Sequence, residues 1–318
     1  MNSAELTPHT PERFPGLDIL RVLAMALITV QHALAAIDHA EWTRFMHISP
    51  GQLGVGIFCA VSGLLAMNDR RNPPMWLWRR LQRLFPAYWI AMLFSFAVTA
   101  LSGRKTFDAY QLISQMLGLG FFTHGWRLVN QVSWFISLIL LCYALAFVAK
   151  IMSRPGYVIG LFTLVYVMFV LVGASIDLSQ HILSFCLAGS AMCLPQRYRR
   201  AFLLGSAAIL FLFVFKTRHA EFAAASLFLT GLLYAAPWGG MPLIRKAGGS
   251  MYEYFLVHGI FFVGAGQFIS SPVLVVVCGL AGSIAGAVAL RSATEVVFGG
   301  WRRAMDGKKL ARPGTRDR

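Results

Sequence analysis

Residues 17–37 read LDILRVLAMALITVQHALAAI, an apolar run of membrane length with an arginine and a histidine inside it. At a rise of 1.5 Å per residue, Arg21 and His32 stand about 16 Å apart along one helix. This spacing predicts one charge at the membrane edge and one imidazole near mid-bilayer. Ionisable groups within a spanning helix are costly and face a protein interior or a wet cavity, so the pair marks a functional site. The rest of the chain is read for what could meet it.

Composition sets the class. The 318-residue chain is 57% hydrophobic and 13% charged, whereas a soluble domain carries about 25% charged residues. This is the profile of an all-α, polytopic membrane protein. The net charge of +15 does not point to nucleic acid, because the basic residues fall in short loops between apolar runs, where they act as orientation signals. The five cysteines lie in or at the ends of apolar runs. They give neither a disulfide framework nor metal-ligand spacing, so no metal is expected.

At about 20 apolar residues per span, ten helices are expected, near 17–37, 51–68, 85–101, 132–151, 156–174, 179–194, 201–217, 220–236, 250–269 and 272–298. The segment 108–123 is too polar at its start to span and reads as a re-entrant or interfacial helix. Residues 1–16 form a polar, proline-punctuated cytoplasmic lead-in that reads as disordered, 17–298 the transmembrane domain and 299–318 a basic cytoplasmic tail. With both termini cytoplasmic, inner segments hold 21 lysines and arginines and outer ones six, as the positive-inside rule requires. The Ala33-Leu34-Ala35 triplet imitates a signal-peptide cleavage site, but the run is long for such a segment and holds Arg21 and His32.

Glycines in the second span (Gly51, Gly54, Gly56, Gly63) suit close helix packing, and Ser62-Gly63 could instead open that helix beside a ligand. The next stretch, RRNPPMWLWRRLQRLFPAYW (70–89), has prolines that end one helix, then Arg79, Arg80 and Arg83 at helical spacing. A simple inside anchor needs positive charge alone. Guanidinium forks at i and i+3 also suit phosphate oxygens, which points to a phosphorylated cosubstrate.

Five features in order resemble the integral membrane acyltransferase 3 family. They are Arg21 with ten residues to His32; Gly54-Val55-Gly56-Ile57-Phe58 through Ser62-Gly63; Arg80-Leu81-Gln82-Arg83 before Phe85-Pro86-Ala87-Tyr88-Trp89; Trp134-Phe135 with Tyr143; and Gly249-Ser250-Met251-Tyr252 through Tyr254 and His258. One departure is that Ile139 and Leu140 stand where many relatives carry a glutamate pair. Glu253 is an intramembrane acid instead, off the face of His258.

The resemblance implies a membrane-bound O-acyltransferase of the bacterial inner membrane. It would take acetyl-CoA or another acyl-CoA from the cytosol as cosubstrate and acylate a hydroxyl of an exported polysaccharide or glycolipid, such as lipopolysaccharide or exopolysaccharide. Polysaccharide-biosynthesis proteins are the further partners it implies. His32 would be the catalytic base or acyl carrier and Arg21 its companion, with Arg79, Arg80, Arg83, Ser62 and Gly63 on the donor. Trp134, Tyr143, Glu253, Tyr254 and His258 would line the acceptor site or support it. Several residues keep a plainer reading: Arg21 snorkelling or paired with Asp18, Trp134 in an aromatic belt, His258 as a packed histidine. The rival class is a transporter or flippase of a lipid-linked glycan, although neither the inverted repeats nor the paired broken helices common in transporters are evident.

Overall fold

The structure is a computed structural model in which residues 14, 16–39, 49–101, 108–152, 155–171, 176–217, 220–236 and 241–307 are described. Most of the lead-in and the part of the basic tail after residue 307 lie outside them. Among the described residues the chain is all helix, with no strand. The helices are α1 Gly16–Ala36, α2 Pro50–Asn68, α3 Pro73–Leu101, α4 Ala109–Met116, α5 Gly120–His124, α6 Trp134–Met152, α7 Pro155–Leu171, α8 Ile176–Ala191, α9 Gln196–Thr217, α10 Glu221–Leu233, α11 Pro242–Phe268 and α12 Pro272–Gly307.

Each of the ten expected runs holds a helix among its described residues. Among the described residues, five helical segments are long and apolar enough to cross a membrane by length and composition: Gly16–Ala36, Pro50–Asn68, Pro73–Leu101, Gln131–Met152 and Pro272–Gly300. The 13-residue α10 rises only about 20 Å, short of a hydrocarbon core of about 30 Å. Boundaries also shift. Pro73 and Pro74 open α3 rather than ending a helix, so Arg79, Arg80 and Arg83 belong to the same helix as the expected 85–101 span. Proline's fixed φ suits a helix's first turn, which is why it starts α3. The 108–123 segment becomes the short α4 and α5, joined through Gly118 at φ 75°.

Two compact units divide the chain. One comprises the residues up to Trp78 together with Phe135–Met251, the other Arg79–Trp134 together with the residues from Tyr252 onward. In the first unit α2 is central, and its glycines fall where neighbouring backbones come closest. A Cβ on Gly54 would lie 2.5 Å from the Ala24 carbonyl of α1, and one on Gly63 would lie 2.1 Å from the Phe185 carbonyl of α8. Any larger residue would push these helices apart, so close helix contact explains these positions. Around them Leu20, Ala24, Ile57, Ala60, Leu64, Ala188 and Leu227 form a buried core. Helix α2 runs unbroken through Ser62 and Gly63.

The second unit is tied together by polar side chains reaching backbone. Tyr88 donates to the Gln115 carbonyl, and Trp89 Nε1 donates to that of Met116 at 2.9 Å, so the aromatic pair after Pro86 holds the end of α4. Buried Asn130 donates to Leu256 O of α11 at 3.1 Å and to Ser95 Oγ of α3 at 3.3 Å. On α12, Gly279, Gly282 and Gly286 make a shallow groove filled by the Phe261 and Phe262 rings of α11. An Arg291–Glu295 pair forms on α12 at 3.2 Å, i to i+4 along the helix.

Candidate functional site

Helical periodicity places Arg21, Met25, Ile28 and His32 on one stripe, since eleven steps of 100° return to within about 20° of the start. Met25 and Ile28 are each 2% exposed, while Val30, turned away, is 48% exposed. The stripe carrying the arginine and the imidazole therefore faces the interior of the first unit, with half-buried Arg21 and His32 at its two ends.

At the Arg21 end, Arg21 Nη1 donates to Asp18 Oδ1 at 2.7 Å, one turn earlier on α1. The Asp18 side chain packs against the first turns of α11, where a Cβ on Gly248 would lie 3.1 Å from it. Gly248 thus makes room for the carboxylate that holds Arg21. Near the C-terminal end of α2, Trp76 meets Tyr143 edge-on with centroids 5.7 Å apart, and Lys150 Nζ lies 5.3 Å from the Trp76 centroid while donating to the Asp69 carbonyl. This places Tyr143 in an aromatic and cationic cluster.

The His32 end lies close to the C-terminus of α1. His32 is four residues from the end of α1 at Ala36, about 6 Å along the axis, because the helix stops soon after the histidine. A chain of polar side chains collects there. Ser49, the N-cap of α2, donates to Gln31 Oε1 at 2.8 Å and accepts from the Gln52 amide at 3.4 Å. Gln52 Oε1 in turn accepts from His181 Nε2 of α8 at 2.7 Å, and His181 is fully buried. Beside it, Gln180 Oε1 accepts the Phe222 and Ala223 amides at 2.6 and 3.3 Å, capping α10 where Ala220 has no polar side chain to do so. Ser184 and Ser226 continue the seam one turn further, 2.8 Å apart.

In the second unit, Arg79 and Arg80 are half-buried and Arg83 is exposed, all in the first half of α3. His258 is fully buried, stacked parallel to Tyr254 with centroids 5.9 Å apart. Its Nδ1 lies 2.7 Å from the Phe255 carbonyl. A carbonyl only accepts, so Nδ1 carries the proton and Nε2 the lone pair, the tautomer a proton acceptor requires. Glu253 Oε2 is buried with no hydrogen-bond partner among the described residues. Trp134 joins Trp126 and Phe121, with centroids 5.8 and 6.4 Å away. Among the described residues no group of three or more His, Cys, Asp or Glu could hold a metal ion.

Sequence reasoning placed Arg21 and His32 on one helix and missed most of what surrounds them. Gln31, Gln52, Gln180 and Asn130 carry no motif. His181 carries none either, standing near the start of the expected 179–194 run. Polar residues inside apolar runs were the available signal, since each must find a partner when buried.

A family model described as "Acyltransferase domain" matches residues 14–292, from two residues before α1 into α12. No curated protein and no solved structure matches the chain. With that model spanning most of the sequence, and with helices of membrane length along it, the chain belongs to the acyltransferase 3 family of membrane proteins.

Proposed function

We propose that the protein transfers an acyl group, acetyl in the simplest case, from cytosolic acyl-CoA to a hydroxyl of an exported polysaccharide or glycolipid. It would do so from the bacterial inner membrane, through ten spanning helices with both termini cytoplasmic. The observation that carries this reading is the inward-facing stripe of α1, which holds Arg21 and His32 in a chain of the acyltransferase 3 family.

The chemistry needs a base for a weakly acidic hydroxyl. In direct transfer, His32 takes the hydroxyl proton as the oxygen attacks the thioester carbonyl. The new C–O bond forms, the C–S bond breaks, and the thiolate recovers the proton as free CoA thiol. In the covalent variant the imidazole carries the acyl group between the two substrates. Arg79, Arg80 and Arg83 supply guanidinium forks for the CoA phosphates, and half-buried Ser62 lines the donor's path, while Gly63 serves the close α2–α8 contact. Trp134, Tyr143, Glu253, Tyr254 and His258 serve the acceptor or support the helices that bind it.

Full-length protein in lipid nanodiscs, given radiolabelled acetyl-CoA and an envelope glycan extract, tests this. Label is expected in the glycan. His32→Ala should reduce its incorporation about 100- to 10,000-fold, the usual worth of a positioned base, with the thermal midpoint unchanged. Glycan movement without any acyl-CoA requirement, or full transfer by His32→Ala, would overturn the reading.

A further inference from the structure

Gln180 is fully buried, and its carboxamide can be oriented only one way. Its Oε1 receives two backbone N–H groups, from Phe222 and Ala223. Exchanging oxygen for nitrogen would set donors against donors. Nε2 therefore carries two N–H bonds away from the cap, and it has no acceptor among the described residues. The residue before Phe222 is Glu221, whose Oε2 is likewise buried with no hydrogen-bond partner among the described residues. Leaving buried polar groups unmet costs about 1–3 kcal/mol each, so these atoms suit something that enters from outside the fold.

The pair selects its ligand. An anion would take the amide hydrogens but be repelled by the carboxylate, and a cation would meet the reverse. A hydroxyl accepts from one and donates to the other. We infer that Gln180 and Glu221 form a hydroxyl-binding subsite for the polyol acceptor. The inference rests on the acyl-transfer reading, and position supports it. Gln180 adjoins His181, which bonds Gln52, whose amide bonds Ser49, which bonds Gln31, the residue beside His32. The subsite and the imidazole thus lie at the same end of the first unit. His181 also faces the Phe222 ring, centroids 6.2 Å apart and 24° from parallel, which fixes Phe222 beneath the cap.

The test uses full-length protein in lipid nanodiscs with methyl β-D-glucopyranoside as probe and tetrahydropyran, the same ring without hydroxyls, as control. Gln180→Glu keeps an oxygen for the Phe222 and Ala223 amides at a helix N-terminus that favours negative charge, but it deletes both donors. Glu221→Gln keeps size and removes the charge. The glucoside, and not tetrahydropyran, should raise the thermal midpoint of the wild type in a dose-dependent way. Each variant should need about three- to tenfold more glucoside for the same shift, the worth of one hydrogen bond. Where acyl transfer is measured, KM for the acceptor should rise more than kcat falls. No shift in the wild type, or equal shifts in wild type and both variants, would overturn the subsite. Labelled acetyl transferred normally by both variants would overturn it while leaving the acyl-transfer reading intact. A glucoside shift lost in the variants without any acyl transfer would retain the subsite and remove that reading.

Discussion

Asp18 and Arg21 are joined at 2.7 Å across one turn of α1, with 16% and 22% of their side chains exposed, and Gly248 of α11 leaves space for the carboxylate. The pair is neither a surface bridge nor a fully buried one. Asp18→Asn should therefore lower stability by about 1–2 kcal/mol, between the exposed and buried limits. Because it frees the guanidinium from its set position, it should also lower acyl transfer more than the stability loss explains. Asp18→Glu should recover part of the activity. Thermal midpoints and initial rates on the same nanodisc samples check both.

A Cβ on Gly63 would fall 2.1 Å from the Phe185 carbonyl, whereas one on Gly205 of α9 meets nothing within 4 Å. Gly63→Ala should cost about 1–3 kcal/mol as α2 and α8 are forced apart. Gly205→Ala should stabilise by about 0.4–1 kcal/mol by reducing the freedom of the unfolded chain. A matched melting series tests the contrast, and equal effects would sink it.

Asn130 joins α3 to α11 through Ser95 and Leu256, and its Oδ1 accepts the Val132 amide at 3.2 Å. Asn130→Leu strands these partners in a buried place, at a cost of about 1–3 kcal/mol for each unmet group. The loss should appear as faster hydrogen exchange at residues 128–134, ahead of the first unit.

Tyr88 and Trp89 hold the last carbonyls of α4. Tyr88→Phe keeps the ring and deletes one hydrogen bond, so about 0.5–1.5 kcal/mol should be lost. Exchange should quicken within 109–124 and stay unchanged in α2. Global loosening would show that the hydroxyl does more than anchor α4.

Arg83 is exposed on α3. If its guanidinium grips CoA phosphate, Arg83→Lys should raise KM for acyl-CoA severalfold although the charge is kept, because an ammonium cannot make the two-pronged contact. Steady-state kinetics over a range of ionic strength would separate that geometry from plain charge attraction, which salt screens.

The amino-acid sequence by itself determined the helical membrane class, the ten helical runs, the family, and the spacing that puts Arg21 and His32 on one stripe. All of these follow from composition, local periodicity and short motifs. Tertiary structure alone decided that the stripe faces inward, that Arg21 holds Asp18 beside Gly248, that α1 ends only four residues past His32, and that Gln180 caps a helix some 40 residues away in sequence. A 3.6-residue period says which side chains share a face. It cannot say which helix lies opposite, because that depends on packing between segments far apart in the chain, where each buried polar group must find its partner.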